Sequence, residues 1–405
     1  MENWKGNLTA SWLAQFLCII GFTAAFPFMP FFIRDLGVTD VDQVVLWAGV
    51  VSAAGSVSMA LISPVWGILA DRHGRKLMVE RAAFGGSLVM VAMAFSANVE
   101  QLLVLRIMQG LLTGTVPAFV ALVASFSPPE RIGFSLGLMQ MAVYTGLSIG
   151  PLLGGLVADQ MGYRWTFGIT ATSLFIAGVL VYLLVHEKFE RPSEDEKRKR
   201  GFASAVGGIT HSLPMLGAII ALGGVYLANS IPQPVLPLFV ESLQQAPHLV
   251  NTTTGFVYGA NALASALSAA LIGHISDRTS YRTVLLACCV GSMLAYVGQS
   301  LTPNIGVLLM ASFATGMFAG GLLPATNAIL ARAAPRGQQG TIYGISNSVN
   351  AGGRAVGPLL GATIASLWGL RAPFVAAAFL FVLVIAWVAL TIRPQRQASK
   401  APPLP

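Results

Sequence analysis

The sequence predicts an all-α integral membrane protein of twelve transmembrane helices, arranged as two pseudo-symmetric six-helix bundles with the N- and C-termini cytoplasmic. Three observations carry that prediction. Of 405 residues, 55% are hydrophobic and only 10% charged, too little polar surface to cover a soluble globule of this size. Apolar runs of bilayer-spanning length recur along the chain, and a helix needs about 20 such residues to cross the hydrocarbon. The second half repeats the first in the same orientation.

The first half holds runs near 8 to 33, 44 to 70, 77 to 97, 101 to 126, 133 to 158 and 165 to 185. The second holds runs near 212 to 240, 252 to 275, 284 to 301, 305 to 331, 341 to 367 and 372 to 392. The first run is longer than the apolar stretch of a signal peptide and shows no small-residue cleavage pattern, so it is expected to stay as a helix. Pro27 and Pro30 in span one, and Pro232, Pro234 and Pro237 in span seven, remove backbone donors and free carbonyls. Such breaks are tolerated at depth only where protein or water satisfies the freed groups. Between the halves, "EKFERPSEDEKRKRG", Glu187 to Gly201, has no means of burying itself and reads as a cytoplasmic linker. The expected division is an N-terminal bundle at 1–186, the linker at 187–211, a C-terminal bundle at 212–392 and a cytoplasmic tail at 393–405.

A net charge of +8 would point a soluble protein toward nucleic acid, but here the bases crowd short loops between apolar runs, and orientation accounts for them. An even number of spans puts both termini on one side. All but five of the 24 Lys and Arg residues fall on that side: Arg34, Arg164 and Arg371 lie opposite, and Arg106 and Arg354 within spans. Cytoplasmic loops retain Lys and Arg preferentially, so both ends are expected inside the cell. Cys18, Cys288 and Cys289 sit in apolar runs, and the adjacent pair cannot close a disulfide without strain, so all three read as packing residues.

The repeat is explicit. "SIGPLLGGLVADQMGYR" at 148 to 164 aligns with "AVGPLLGATIASLWGLR" at 355 to 371 at an offset of 207, and Asp71 and Arg72 find Asp277 and Arg278 at 206. Parallel repeats of six spans form two bundles that rock around a site near the midplane.

The stretch "GILADRHGRK" resembles the loop motif between spans two and three of the major facilitator superfamily, matched by Gly67, Asp71, Arg72, Gly74, Arg75 and Lys76. Its second copy, "GHISDRTSYR", keeps Asp277 and Arg278 but departs at Ser280 and Tyr281. "LRIMQG" looks like the span-four motif with an intramembrane arginine, here Arg106. "GLSIGPLLGG" is similar to the Gly-Pro motif of the exporter branches, with Gly146, Gly150, Pro151 and Gly154 in place. Bacterial twelve-span drug:proton antiporters are the nearest likeness. That resemblance implies the major facilitator fold, multidrug efflux by antiport, antibiotic resistance and residence in the bacterial inner membrane. It also implies that span two faces span eleven. Asp71 would then meet the N–H groups and positive dipole end at the start of span eleven as an inner latch, unless it merely pairs with Arg72 or Arg75 in its loop. Gly146, Gly150 and Gly154 are expected to form a tight seam bent at Pro151.

Charged residues within the bilayer are costly, so each invites a functional reading. Tyr343, Asn347, Asn350 and Arg354 recur at intervals of four, three and four, on one face of span eleven. The repeat offset carries Asn347 to Gln140 in span five, with Tyr144 one turn on. These residues, with Asn229, Gln233, Tyr258, Asn261 and Asn327, are the expected substrate-binding set; for any single amide a bond between helices is the simpler account. No acid lies at the midplane. Asp35, Glu241 and Glu80 are the candidate proton carriers, each with a solvated interfacial charge as the simpler account, and Arg106 is either coupled to them or donates to the carbonyls freed at Pro27 and Pro30. Two arginines without an obvious acid partner leave open an anionic substrate, and with it a carrier for a specific metabolite or organic anion.

No nucleophile with a paired base, metal-ligand cluster or phosphate-cradling loop is visible, so neither an enzyme nor a cofactor or metal is expected. The expected partners are a small-molecule substrate, protons as coupling ion and the lipid bilayer. Nucleic acid is not among them, and the fold would work as a monomer.

Overall fold

The computed structural model describes residues 4–187, 213–244, 249–276, 280–333 and 339–391. Every regular element among them is helical. The longer helices of the first half are α1 (Trp4–Ala25), α2 (Met29–Asp35), α3 (Val41–His73), α4 (Arg75–Ala94), α5 (Val99–Leu112), α6 (Thr115–Phe126), α7 (Ile132–Met161) and α8 (Tyr163–Leu184). The second half holds α9 (Leu213–Ser230), α10 (Leu236–Leu243), α11 (Val250–Ser276), α12 (Tyr281–Ser300), α13 (Ile305–Ala333), α14 (Gln339–Trp368) and α15 (Ala372–Thr391). Among the described residues, nine helices or helix pairs are long and apolar enough to cross a membrane. The helices α9, α11 and α14 fall outside that count, and each carries Asn or Thr within an otherwise apolar run.

Helix ends follow local chemistry. Asp40 caps α3, accepting from Asp42 N–H at 2.7 Å and Gln43 N–H at 3.3 Å. Asn98 caps α5 by accepting from Gln101 N–H at 2.9 Å, while the Gln101 side chain accepts from Ala97 N–H. Proline interrupts α1 from α2 at Phe26–Phe28 and separates α9 from α10. Between α3 and α4 the chain turns on Gly74 at φ 99°, which is why that motif position needs glycine. A second such residue, Gly114 at φ 115°, splits α5 from α6, whereas its repeat counterpart Gly320 lies within the unbroken α13.

Two apolar cores form, one built mainly from the first half around Phe28, Phe32, Met90 and Phe119, the other from the second half around Phe239, Phe374 and Phe381. The repeat is visible in their details. Arg164 donates to the carbonyls of Ala94 at 2.7 Å and Ser96 at 3.1 Å, capping the end of α4. Arg371 does the same at the end of α12, to Ser300 at 3.0 Å and Thr302 at 2.9 Å. In the first core Gly146, Gly150 and Gly154 press against Ile19, Thr23 and Ala24 of α1; in the second, Gly353, Gly357 and Gly361 press against Leu227, Ser230 and Ile231 at the end of α9. These first-core glycine contacts bind α7 to α1 within one bundle. They are not the surface on which the bundles meet.

Different residues make that surface. Gly155 lies on the backbone of Asn251 and Thr252, and Gly255 and Gly259 lie on the carbonyls of Pro151 and Ser148, joining α7 to α11. A Cβ at Gly49 would meet Ala362 Cβ at 2.5 Å and Pro358 O at 2.8 Å, joining α3 to α14. Val235, Leu238, Val250, Ala362 and Ala365 from the second half bury themselves in the first core here, so this end is closed. Toward the other end this close packing stops at the described glycines: a Cβ at Gly67, Gly133, Gly137 or Gly352 would meet nothing within 4 Å.

Small residues set these distances, because dispersion packing between close backbones is what holds helices together in lipid. Gly154→Val would drive a side chain into the Ala24 backbone and force α1 from α7. A loss of about 1–3 kcal/mol in stability is expected, read as a lowered Tm of the purified protein.

Candidate functional site: a cleft between the two bundles

Where this close packing stops, polar side chains from both bundles approach one another. Arg354 is exposed on α14, and its Cζ lies 6.0 Å from the centre of the Tyr226 ring on α9. Tyr226 is close enough to both Arg354 and Tyr144 of α7 to feel them electrostatically, and Gln140 reaches the Tyr144 hydroxyl. One turn from Arg354, Asn350 keeps its Oδ1 buried without a hydrogen-bond partner among the described residues. The geometry thus joins Gln140, Tyr144, Tyr226, Asn350 and Arg354. Only Tyr226 had not been placed with the stripe. Backbone positions of Asn327, Tyr343 and Asn347 are on α13 and α14, and their side chains lie outside the described residues.

Four other polar candidates are engaged elsewhere. The Asn229 amide donates to Val225 O at 2.8 Å and accepts from the Tyr296 hydroxyl at 2.9 Å, inside the second bundle. Tyr258 donates to the Gln233 carbonyl at 2.9 Å, tying α11 to the break between α9 and α10 and satisfying one backbone acceptor there. Asn261 donates to Ser312 O at 2.9 Å and braces α11 against α13. The exposed Gln233 contributes that backbone carbonyl.

The two arginines within spans differ. Arg106 donates to Val51 O at 3.3 Å and to Gln109 Oε1 at 2.6 Å, and stacks over the Phe26 ring at 3.8 Å. A carbonyl of α3 and an aromatic face, not the carbonyls freed at Pro27 and Pro30, hold its charge. Gln109 and Thr113 continue the chain of bonds. Among the described residues Arg354 has neither such a cage nor a salt bridge.

The carboxylates lie away from this group. Glu241 forms a two-pronged bridge to Arg34 at 2.8 and 3.0 Å, across the closed end from one bundle to the other. These residues are separated by 207, the repeat offset, so equivalent positions of opposite charge pair on the pseudo-twofold axis. Asp35 stands near Arg164 and Arg34. Glu80 faces Lys76 one turn back on α4 at 3.6 Å. Each of the three arginines that broke the basic-loop pattern thus has a structural task at the closed end.

In the motif loop Arg72 is exposed, and Lys76 donates to Tyr182 O at 2.8 Å. Glu187, read from sequence only as the start of a linker, accepts from the Arg75 and Lys76 N–H groups at 3.0 and 2.7 Å, capping α4. The Asp71 side chain, Asp277 and Arg278 lie outside the described residues. One acid went unremarked in the sequence: Asp159, near the end of α7, meets the start of α11 with four hydrogen bonds. It sits four residues past a glycine and beside no motif charge, so no local signal marks it.

Apolar helices of bilayer length in two bundles, packed shut at one end and carrying a polar group where they meet farther along, define a membrane transporter. The chain belongs to the Major Facilitator Superfamily, whose sequence profile matches it over 11–245 and 218–405. Among its relatives, the Multidrug resistance protein MdtG of Citrobacter koseri is 33% identical over 400 residues, 98% of each chain. That of Salmonella dublin is 33% identical over 393 residues, covering 96% of this chain and 97% of the relative. Solved structures share the fold. A bacterial homolog of the human lysosomal transporter Spinster superposes with TM-score 0.80 at 17% identity, over 96% of this chain and 97% of that one. The human organic anion transporter MFSD10 (TETRAN) gives 0.66 at 18% identity, over 96% and 100%. The protein is accordingly a multi-pass membrane transporter and not an enzyme.

The Arg34 to Glu241 bridge is partly exposed, which limits its worth to roughly 0.2–1 kcal/mol. Arg34→Glu should destabilise by setting two carboxylates together, and the exchange Arg34→Glu with Glu241→Arg should restore the wild-type value, as read in a double-mutant cycle of thermal unfolding.

Proposed function

We propose that the protein exports amphipathic drugs or other toxic compounds across the bacterial inner membrane in exchange for protons, by alternating access. What carries this reading is the near full-length likeness to proteins named Multidrug resistance protein MdtG. The cleft supplies the route. Twelve spans, two six-helix bundles at 1–186 and 212–392 joined by the linker at 187–211, and cytoplasmic termini complete the reading, with the closed end outside and the other end facing the cytoplasm. The protein acts as a monomer.

In this arrangement Gln140, Tyr144, Tyr226, Asn350 and Arg354 contact the substrate, with Asn327, Tyr343 and Asn347 as further members of the binding set. Asn229, Tyr258 and Asn261 hold the wall rather than the ligand. Asp71 acts as the inner latch once the cytoplasmic end closes, when the start of α14 comes within its reach. Protons are carried by Asp35, Glu241 or Glu80, and the Arg34 to Glu241 bridge must exchange partners as the outer end opens.

A second reading has one observation in its favour. Arg354 stands exposed in the cleft over an aromatic ring, with no salt bridge to it among the described residues. A cation so placed selects an organic anion, whose carboxylate or phosphate completes the pair.

Proteoliposomes with an imposed pH gradient separate the two. Structurally unrelated dyes should move against their gradient and stop when an uncoupler collapses the proton gradient. Arg354→Ala should lower transport of anionic compounds at least tenfold, about 1.4 kcal/mol, and change that of cationic dyes by no more than a few-fold. A single saturable anion with no dye transport would establish the second reading in place of the first.

A further inference from the structure

At the closed end, among the described residues, the first turn of α11 has no carboxylate of its own. Its opening sequence, "VNTTTG", carries no acid. The cap comes instead from the other bundle. Asp159 of α7 accepts from the N–H groups of Asn251 at 3.3 Å and Thr252 at 2.7 Å, from the Asn251 amide at 2.7 Å and from the Thr252 hydroxyl at 2.6 Å. The Asn251 amide also donates to the Tyr163 hydroxyl at 3.1 Å, a second tie to the first bundle.

Position and chemistry agree. The positive end of the α11 dipole and its free donors face a carboxylate, the pairing that a helix N-terminus favours. Charge-assisted bonds of this kind are about twice as strong as neutral ones. Directly beneath, Gly155 lies on the Asn251 and Thr252 backbone, and Gly255 and Gly259 on α7 carbonyls, so the bonds form only when this seam is shut. On the other side of the same end, among the described residues, α3 is capped by its own Asp40 whether or not α14 is near.

We propose that Asp159 is the outer latch of the transport cycle: it holds the outer mouth shut by capping α11 across the bundle interface, and releases α11 to water when substrate leaves. This rests on the alternating-access reading given above. It makes Asp159 a residue that sets the balance of inward-open and outward-open states, with no contact to substrate.

The experiment is a distance measurement by pulsed electron spin resonance in liposomes, between spin labels on Gln160→Cys and Leu249→Cys. Both sites are exposed at the closed end, and Cys18, Cys288 and Cys289 are replaced by Ala. The wild type should show a short distance, with a longer one appearing under a pH gradient. Asp159→Ala should raise the ratio of long to short at least tenfold, with Asp159→Asn between the two. Thr252→Val, which removes one donor and leaves the backbone donors, should give a smaller rise and keeps the test open should Asp159→Ala fail to fold. A lowered Tm with an unchanged ratio in the folded variants would make Asp159 an ordinary cap and overturn the latch alone. One fixed distance for the wild type under every gradient would overturn both the latch and alternating access.

Discussion

A backbone N–H or carbonyl without a partner in hydrocarbon costs several kcal/mol, and that constraint orders the whole molecule. Arg164 and Arg371 cap the ends of α4 and α12, Asp40 and Asn98 cap the starts of α3 and α5, and Tyr258 covers the Gln233 carbonyl beside a proline break. At the start of α11 the same need is met from across the bundle interface. There, satisfying a helix end and shutting the molecule are one event. Opening must replace protein acceptors by water, so the interface separates at an end that water can reach.

The constraint also sorts the polar side chains. Asn229, Asn261, Gln109 and Arg106 have partners inside their own bundle, and their removal would leave buried groups unpaired. Among the described residues, no salt bridge reaches Arg354 and the buried Asn350 Oδ1 has no hydrogen-bond partner. A ligand site in a membrane protein is defined by what the fold leaves unpaired, and the two arginines show the difference most clearly. They share a residue type, yet one is enclosed by a carbonyl, an amide and a ring while the other is exposed.

Much of the fold was legible in the sequence. Each described long helix falls on an apolar run to within about a turn, since run length and composition are local properties. The proline breaks and the turn at Gly74 were legible for the same reason. The site was legible only in part. A stripe at intervals of four and three marks one face, and it brought Asn350 and Arg354 together; it did not show that Asn229 and Asn261 would turn away to neighbouring helices. The glycines at 146, 150 and 154 announced close packing but not their partner, which is α1. Nothing near Asp159 distinguished it from any other acid at a helix end.

Composition, run length, repeat offset and motif residues by themselves determined an all-helical, membrane-embedded chain with an internal duplication, because each depends on neighbours along the chain. Tertiary structure alone decided which equivalent positions meet on the pseudo-axis, as Arg34 and Glu241 do, and which bundle supplies the cap for α11. The physical reason is one of direction. A hydrogen bond or ion pair depends on where a side chain points after two bundles have docked, and residues a hundred positions apart acquire that relation only through packing.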